Sequence, residues 1–142
     1  MLAWDKAEHG LDVAEMDATH AEFLALVALL SESDDTDFAG LFLKLVDHCR
    51  LHFLGEGRLM RISRFPALAE HEAEHHRIYA DLVQMLRAVQ RGRLLLPRAF
   101  VRRGLPEWFM LHLASMDAAL AAHLKRTGEA RVVMTGGLPV LG

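Results

Sequence analysis

The sequence is poor in cysteine and has no excess of charge of one sign, and each scarcity excludes a class of protein. Cys49 is the single cysteine among 142 residues, so an internal disulfide is excluded and the chain suits a reducing compartment. We expect Cys49 to act as a small buried hydrophobic residue rather than as a redox group. The 16 basic and 19 acidic residues give a net charge of −3, which favours neither nucleic acid nor an anionic membrane as a partner.

Long apolar runs are also missing. The best candidate, Phe23 to Leu30, is far shorter than the roughly 20 residues that a membrane span requires. Charged residues within Met1 to His9 interrupt the apolar stretch that a signal peptide needs. With 52% hydrophobic residues, the chain is predicted to bury a core as one domain, residues 1–142, in the cytoplasm.

Apolar residues recur at helical spacing in four segments, which predicts an all-α fold, an up-down-up-down four-helix bundle. We expect an extended N-terminal arm over residues 1–16, the bundle over residues 17–126, and an irregular C-terminal tail over residues 127–142. The helices are predicted at about residues 18–31, 37–61, 67–90 and 106–126.

Three features define the ends of these helices. Asp17 is predicted to be the N-cap of the first helix, and Gly92 is predicted to end the third. Because Pro97, Gly104 and Pro106 interrupt the last segment, we expect a separate short helix or turn at about 97–103 before the final helix begins.

Histidine is what the sequence has in quantity, with nine copies. His52 and Glu56 are four residues apart, as are His71 and His75, and side chains at i and i+4 share one face of an α-helix. Taken alone, each pair fits a solvated helix face. Together on two neighbouring helices they form a set typical of metal sites inside bundles, and the other predicted helices add three more ligand-type residues, His20, His112 and Asp117.

Five imidazoles and two carboxylates suit two metal ions better than one. If both carboxylates bridge and the imidazoles divide three and two, the ions gain five and four protein ligands. A bridging oxide or hydroxide would saturate one ion and leave the other with a vacant position for a small molecule. This ligand set suits iron, although manganese or zinc could occupy it too.

The spacing of His112 and Asp117 does not fit a regular helix. They are five residues apart, which places them roughly 140° apart around the helix axis. A π-helical turn inserts one residue and would bring both onto one face, so we predict such a turn within residues 110–118.

The order and spacing of these residues resemble a bacterial hemerythrin, of the non-haem di-iron oxygen-binding family. The likeness covers about residues 4–126 and fills all seven ligand positions. It rests on Met16-Asp17-Ala18-Thr19-His20, on His52-Phe53-Leu54-Gly55-Glu56 with Met60, on Pro66 with His71 and His75, and on Trp108-Phe109-Met110-Leu111-His112 with Asp117.

The resemblance implies two iron ions with a bridging oxide or hydroxide. It implies that His71, His75 and His112 bind one iron, that His20 and His52 bind the other, and that Glu56 and Asp117 bridge them. Dioxygen would bind at the iron held by His20 and His52.

Three positions depart from the family pattern. Gly57 stands where a second acidic residue is usual, and Thr19 stands where the family commonly has Gln. Phe109 takes a place more often held by a Leu that lines the oxygen pocket. A bulkier ring there could shrink the pocket or alter oxygen release.

The remaining histidines are predicted to have no direct role. His48 lies one turn before His52 and is expected beside the site or on the surface, and His76 is expected to face solvent. His9 and His123 have no partner pattern.

Three functions stay open from the sequence. The first is a reversible dioxygen carrier, store or sensor, with an unidentified protein that uses the oxygen as a partner. The second is an enzyme or scavenger acting on peroxide or nitric oxide, which the lack of an obvious general acid beyond the ligands disfavours. The third is a structural bundle whose histidines bind nothing.

Overall fold

The protein is described by a computed structural model of residues 2–128, and the predicted tail from residue 129 onward lies outside the described residues. Its helices are α1 Lys6–His9, α2 Ala14–Glu32, α3 Asp35–Ile62, α4 Leu68–Gln90, α5 Leu95–Ala99, α6 Leu105–His112 and α7 Ala118–Thr127. Helix α3 packs against α2 and α4, and the chain from α5 onward packs against α4 and α2. The predicted all-α bundle is confirmed. Across residues 2–128, none of the helices combines the length and the apolarity that crossing a membrane requires.

The N-terminal arm differs from its prediction because it contains α1 and ends before Ala14. Asp17 lies inside α2 and is not its N-cap, so that prediction is wrong. Its carboxylate instead accepts hydrogen bonds from the backbone N–H groups of Leu11 (2.8 Å) and Asp12 (3.2 Å). The Asp17 side chain therefore stabilises the turn that leads into the helix, which lets the helix begin one turn earlier.

Helices α3 and α4 lie close to their predicted ranges. The Asp34 carboxylate accepts a hydrogen bond from the Asp37 N–H at 2.9 Å and caps α3. Gly92, with a φ of +76°, follows the end of α4, as predicted. The same left-handed conformation recurs at Gly128, just after α7.

The last helix of the bundle is continuous over residues 95–127, so the predicted break between a short helix and the main one is wrong. Pro97 is the third residue of α5, where a backbone N–H has no partner within the helix in any case. A π-helical turn, Phe100–Gly104, precedes Pro106, and the Leu105 N–H donates across it to the Phe100 carbonyl. This wider turn displaces the carbonyl that the Pro106 ring would otherwise strike, and the helix continues through it.

Two apolar clusters fill the bundle, one on each side of a polar layer. The larger includes Phe23, Phe42, Cys49 and Phe109, and the smaller includes Met16, Leu59, Met60, Leu120 and Leu124. Cys49 is buried as expected, and burial raises the pKa of its thiol to about 12. The polar layer between the clusters contains the predicted ligands, so apolar side chains lie above and below them.

Candidate metal centre

All seven predicted ligand residues lie in one cluster inside the bundle. Helix α2 contributes His20, α3 contributes His52 and Glu56, and α4 contributes His71 and His75, while the C-terminal helix contributes His112 and Asp117. Six of them are at most 5% exposed, and the side chain of His52 is 7% exposed. Buried charges and imidazoles in this number are costly unless they are compensated.

A π-helical turn brings the last two together. It spans Leu113–Asp117, and the Ala118 N–H donates to the Leu113 carbonyl five residues earlier. As a result, His112 Nε2 lies 3.1 Å from Asp117 Oδ1 despite their spacing of five residues. The predicted π-helical turn is confirmed.

Glu56 divides its two oxygens between two groups of histidines. Its Oε2 atom lies 2.7 Å from His52 Nε2 and 3.3 Å from His20 Nε2. Its Oε1 atom lies 3.3 Å from His71 Nε2 and 3.4 Å from His75 Nε2. One carboxylate thus faces two separate sets of imidazole nitrogens.

Asp117 divides its oxygens in the same way. Its Oδ2 atom lies 3.2 Å from His20 Nε2, and its Oδ1 atom lies 3.2 Å from His71 Nε2 and 3.1 Å from His112 Nε2. The imidazoles therefore form a three-histidine half (His71, His75 and His112) and a two-histidine half (His20 and His52), and each half has one oxygen of each carboxylate.

Hydrogen bonds satisfy only some of these polar atoms, since Glu56 Oε2 pairs with His52 and His20 while other atoms have no partner. Among the described residues, His71 Nε2, Glu56 Oε1 and both carboxylate oxygens of Asp117 are buried without a hydrogen-bond partner. His75 Nε2 and His112 Nε2 lie 3.1 Å apart, where at most one of the two nitrogens can present a proton to the other. Lone pairs that are directed at a shared space in this way fit a metal ion.

The two carboxylates stay ionised and attract positive charge. Burial would raise the pKa of Glu56, but the charge of His52, hydrogen bonds from His20 and His52, and the nearby His71 imidazole hold it well below its usual range. Burial and the Glu56 charge would raise the pKa of Asp117, yet the neighbouring imidazoles lower it.

Two of those imidazoles respond in the opposite direction. Burial lowers the pKa of His20 and His71, but the facing carboxylates outweigh it and raise these pKa values to about 10 and about 9. The cluster therefore draws in cations, and without a metal it must take up protons instead.

Aromatic rings contact the two halves in different ways. Phe53 stacks on His75 with ring centroids 4.1 Å apart and planes at 12°, and Trp108 stacks on His112 at 4.6 Å and 17°. In the two-histidine half, Phe109 meets the His20 ring edge-on, at 5.5 Å and 73°. Imidazole orientation is therefore set by stacked rings on one side only.

A polar contact that sequence reasoning missed holds the Trp108 ring in place. Its Nε1–H donates to Glu74 Oε1 at 2.9 Å, and the Arg77 guanidinium donates to the same oxygen at 2.6 Å. The hydrogen bond from Arg77 lowers the pKa of Glu74 to about 2, so this acceptor stays charged. The clue available in the sequence was that Glu74 is adjacent to the predicted ligand His75.

The space beside Gly57 is filled from another helix. A Cβ atom at this position would lie 2.8 Å from Glu72 Oε2, and Glu72 accepts a hydrogen bond from Arg61 at 2.9 Å. The acidic group expected after Glu56 is thus replaced in space by a carboxylate from α4.

The other histidines lie outside the cluster. His76 is exposed, as predicted. His9 and His123 are buried, and each has a local partner: His9 Nδ1 accepts from the Asp5 N–H at 2.8 Å, and His123 Nε2–H donates to the Ser63 carbonyl at 2.7 Å. His48 is half-buried, with its ring 5.9 Å from that of His52.

Comparison with known proteins agrees with this geometry. Residues 11–124 match the family described as the hemerythrin HHE cation binding domain. The chain is 31% identical over 128 residues to a bacteriohemerythrin of Ralstonia nicotianae, and the alignment covers 90% of this chain and 92% of that protein.

Solved structures have the same fold. The crystal structure of a wild-type hemerythrin superposes with a TM-score of 0.81 at 20% identity, covering 87% of this chain and 98% of that one. A hemerythrin variant with one leucine replaced by alanine gives a TM-score of 0.81 at 20% identity, covering 87% of this chain and 97% of that one. At this identity the likeness concerns the fold alone.

Proposed function

The chain belongs to the hemerythrin family, and on that premise we propose that it binds dioxygen reversibly at a centre of two iron ions, as a carrier, store or sensor. The observation that carries the proposal is the division of the carboxylate oxygens. Both Glu56 and Asp117 present one oxygen to the three-histidine half and the other to the two-histidine half. A carboxylate placed in this way is suited to bridge two ions.

The residues divide between the ions as follows. His71, His75 and His112 would hold one iron, His20 and His52 would hold the other, and Glu56 and Asp117 would bridge them. A bridging oxide or hydroxide would add one ligand to each. When bound in the ferrous state, the two irons would supply the electrons on which reversible binding of dioxygen depends.

The difference between the halves supports binding of a small molecule at one of them. The three-histidine half groups five ligand residues closely together, whereas the two-histidine half groups His20, His52 and Glu56. The half with fewer protein ligands has room for an exogenous molecule, since a site that binds ligands keeps an open position.

The apolar wall beside His20 in the two-histidine half would keep water away from a ligand bound against it. Phe109 packs against the ring of His20 and lies 4.8 Å from the ring of Phe23, and both phenylalanines are at most 2% exposed. A dry, apolar wall limits proton delivery, which slows irreversible oxidation. These side chains favour reversible binding over turnover.

The test is an anaerobic metal count followed by a visible spectrum through repeated cycles of oxygen addition and removal. We expect two irons per chain and an absorption band that appears with oxygen and disappears without it. His75→Ala should lose metal and the band, whereas His76→Ala, the matched control on the exposed neighbour, should retain both. Irons that oxidise once and consume peroxide steadily would favour the enzyme or scavenger instead.

A further inference from the structure

Two openings in the protein surface reach the ligand cluster. One, of about 210 Å³, lies between α2 and α3 and has His52 and Glu56 among its lining residues. The other, of about 140 Å³, lies between α3 and α4 and reaches His75. They connect solvent to opposite halves of the cluster.

The charges around the two openings differ. Glu15 and Glu22, both exposed on α2, line the α2–α3 opening, and none of the described residues that line it is Lys or Arg. At the α3–α4 opening, Arg50 and Glu72 are both already paired, Arg50 with Asp47 and Glu72 with Arg61, each at 2.9 Å. Carboxylates around a cleft with low-dielectric walls concentrate cations, so only the first opening attracts them.

Two buried ligand residues lie at the base of the α2–α3 opening. Glu56 is 3% exposed and the side chain of His52 is 7% exposed. Among the described residues, His52 Nδ1 has no hydrogen-bond partner, and Glu56 Oε2 faces the imidazoles of His52 and His20. A cation that reaches this base therefore meets a buried imidazole nitrogen without a partner and a buried carboxylate.

His48 lies between the acidic rim and this base. It is one turn before His52 on α3 and lines the same opening. Its Nε2 atom is buried and has no hydrogen-bond partner among the described residues. An imidazole nitrogen in this place offers an intermediate ligand along the path.

We propose that the α2–α3 opening is the route by which Fe²⁺ reaches the cluster, with Glu15 and Glu22 attracting the cation and His48 passing it to His52 and Glu56. The inference rests on the metal centre proposed above. It assigns a role to three residues outside the ligand set, and it predicts that they control the rate of metal uptake but not the amount finally bound.

Gly55 allows this opening to be closed without disturbing the fold. It lines the opening, and a Cβ atom added there meets no other group within 4 Å. Gly40, also within α3, has the same free space but lies outside the opening. Replacing either glycine by leucine has the same effect on the helix backbone. Only the leucine at position 55 would place a side chain in the opening.

The experiment measures Fe²⁺ uptake by the metal-free full chain under anaerobic conditions and low ionic strength. Samples are quenched with a colorimetric chelator that reports the free Fe²⁺ at each time. We expect E15Q/E22Q to take up iron about tenfold more slowly than the wild type, with the difference shrinking as salt is added. G55L should also slow uptake, H48A should slow it less, and all should reach the wild-type iron content.

Two controls decide the outcome. E72Q removes a carboxylate from the α3–α4 opening and G40L matches G55L, and both should take up iron at the wild-type rate. If G55L folds poorly by circular dichroism, G55V replaces it. Wild-type rates in E15Q/E22Q and G55L, or slowing in E72Q alone, would overturn the route while leaving the metal centre intact. If the wild type takes up no iron at all, both proposals fail.

Discussion

The two halves of the ligand cluster are built differently although they share the same two carboxylates. In the three-histidine half, His75 and His112 are each covered by a stacked aromatic ring, and Trp108 is anchored to Glu74. In the two-histidine half, His20 is met edge-on by Phe109, and His52 borders an opening to solvent. The stacked rings would hold an ion firmly in the three-histidine half, whereas the opening beside His52 would let the two-histidine half exchange what it binds.

Glu56→Ala should have the largest effect, because Glu56 serves both halves. We expect this variant to lose both ions and about 3–5 kcal/mol of stability, since imidazoles that pair with the carboxylate stay buried without it. Metal analysis and chemical denaturation measure the two effects. Glu107→Ala, an exposed acid on α6, is the control and should change neither. Full metal content in Glu56→Ala would contradict the bridging role.

His52→Ala should separate the halves. It leaves the five grouped residues of the three-histidine half intact and removes one of the two imidazoles on the other side. We therefore expect the variant to keep about one ion per chain instead of two, because the two-histidine half would be left with one imidazole and with two carboxylates that it shares with the other half. Metal analysis after dialysis gives the answer, and loss of both ions would show that the halves bind only as a unit.

Trp108→Leu should weaken the three-histidine half alone. Without the stacked ring and its hydrogen bond to Glu74, His112 loses the contact that orients it, and we expect a drop in metal affinity of about tenfold to hundredfold. Trp108→Phe keeps a ring without the donor and should lose much less. Competition with a chelator measures both affinities, and equal losses in the two variants would mean that the ring itself does nothing.

Two glycines flank Glu56 and should respond differently to alanine. Gly55 borders open space, so Gly55→Ala should gain about 1 kcal/mol of helix stability. At Gly57 the new Cβ would lie 2.8 Å from Glu72 Oε2, which must move away from Arg61. We therefore expect Gly57→Ala to stabilise the protein by about 0.5 kcal/mol less than Gly55→Ala does. Thermal denaturation measures the stability of both variants. Equal gains would show that Glu72 moves away from Arg61 at no cost in free energy.

The sequence was informative about the site because ligand spacing on helices is a local property. Pairs four residues apart share a helix face whatever the rest of the chain does, and the five-residue spacing of His112 and Asp117 required the π-helical turn that the structure contains. Long-range contacts were different. Neither the Trp108–Glu74 hydrogen bond nor the Glu72 carboxylate beside Gly57 follows from spacing along one helix.

Helix ends were harder to predict because their residues have competing uses. Asp17 has the chemistry of an N-cap, yet its carboxylate binds the backbone N–H groups of Leu11 and Asp12 from within α2. Pro106 is a strong helix breaker, yet the π-helical turn Phe100–Gly104 accommodates it. In both cases the same residue allows two local structures, and its identity alone does not say which one the chain adopts.

The most direct test of two unlike metal sites is Mössbauer spectroscopy of the protein loaded anaerobically with isotopically enriched ferrous iron and then exposed to oxygen. The account predicts two irons per chain and two distinct quadrupole doublets of equal area, one for each half of the cluster. A single iron per chain, or one doublet that accounts for both, would contradict it.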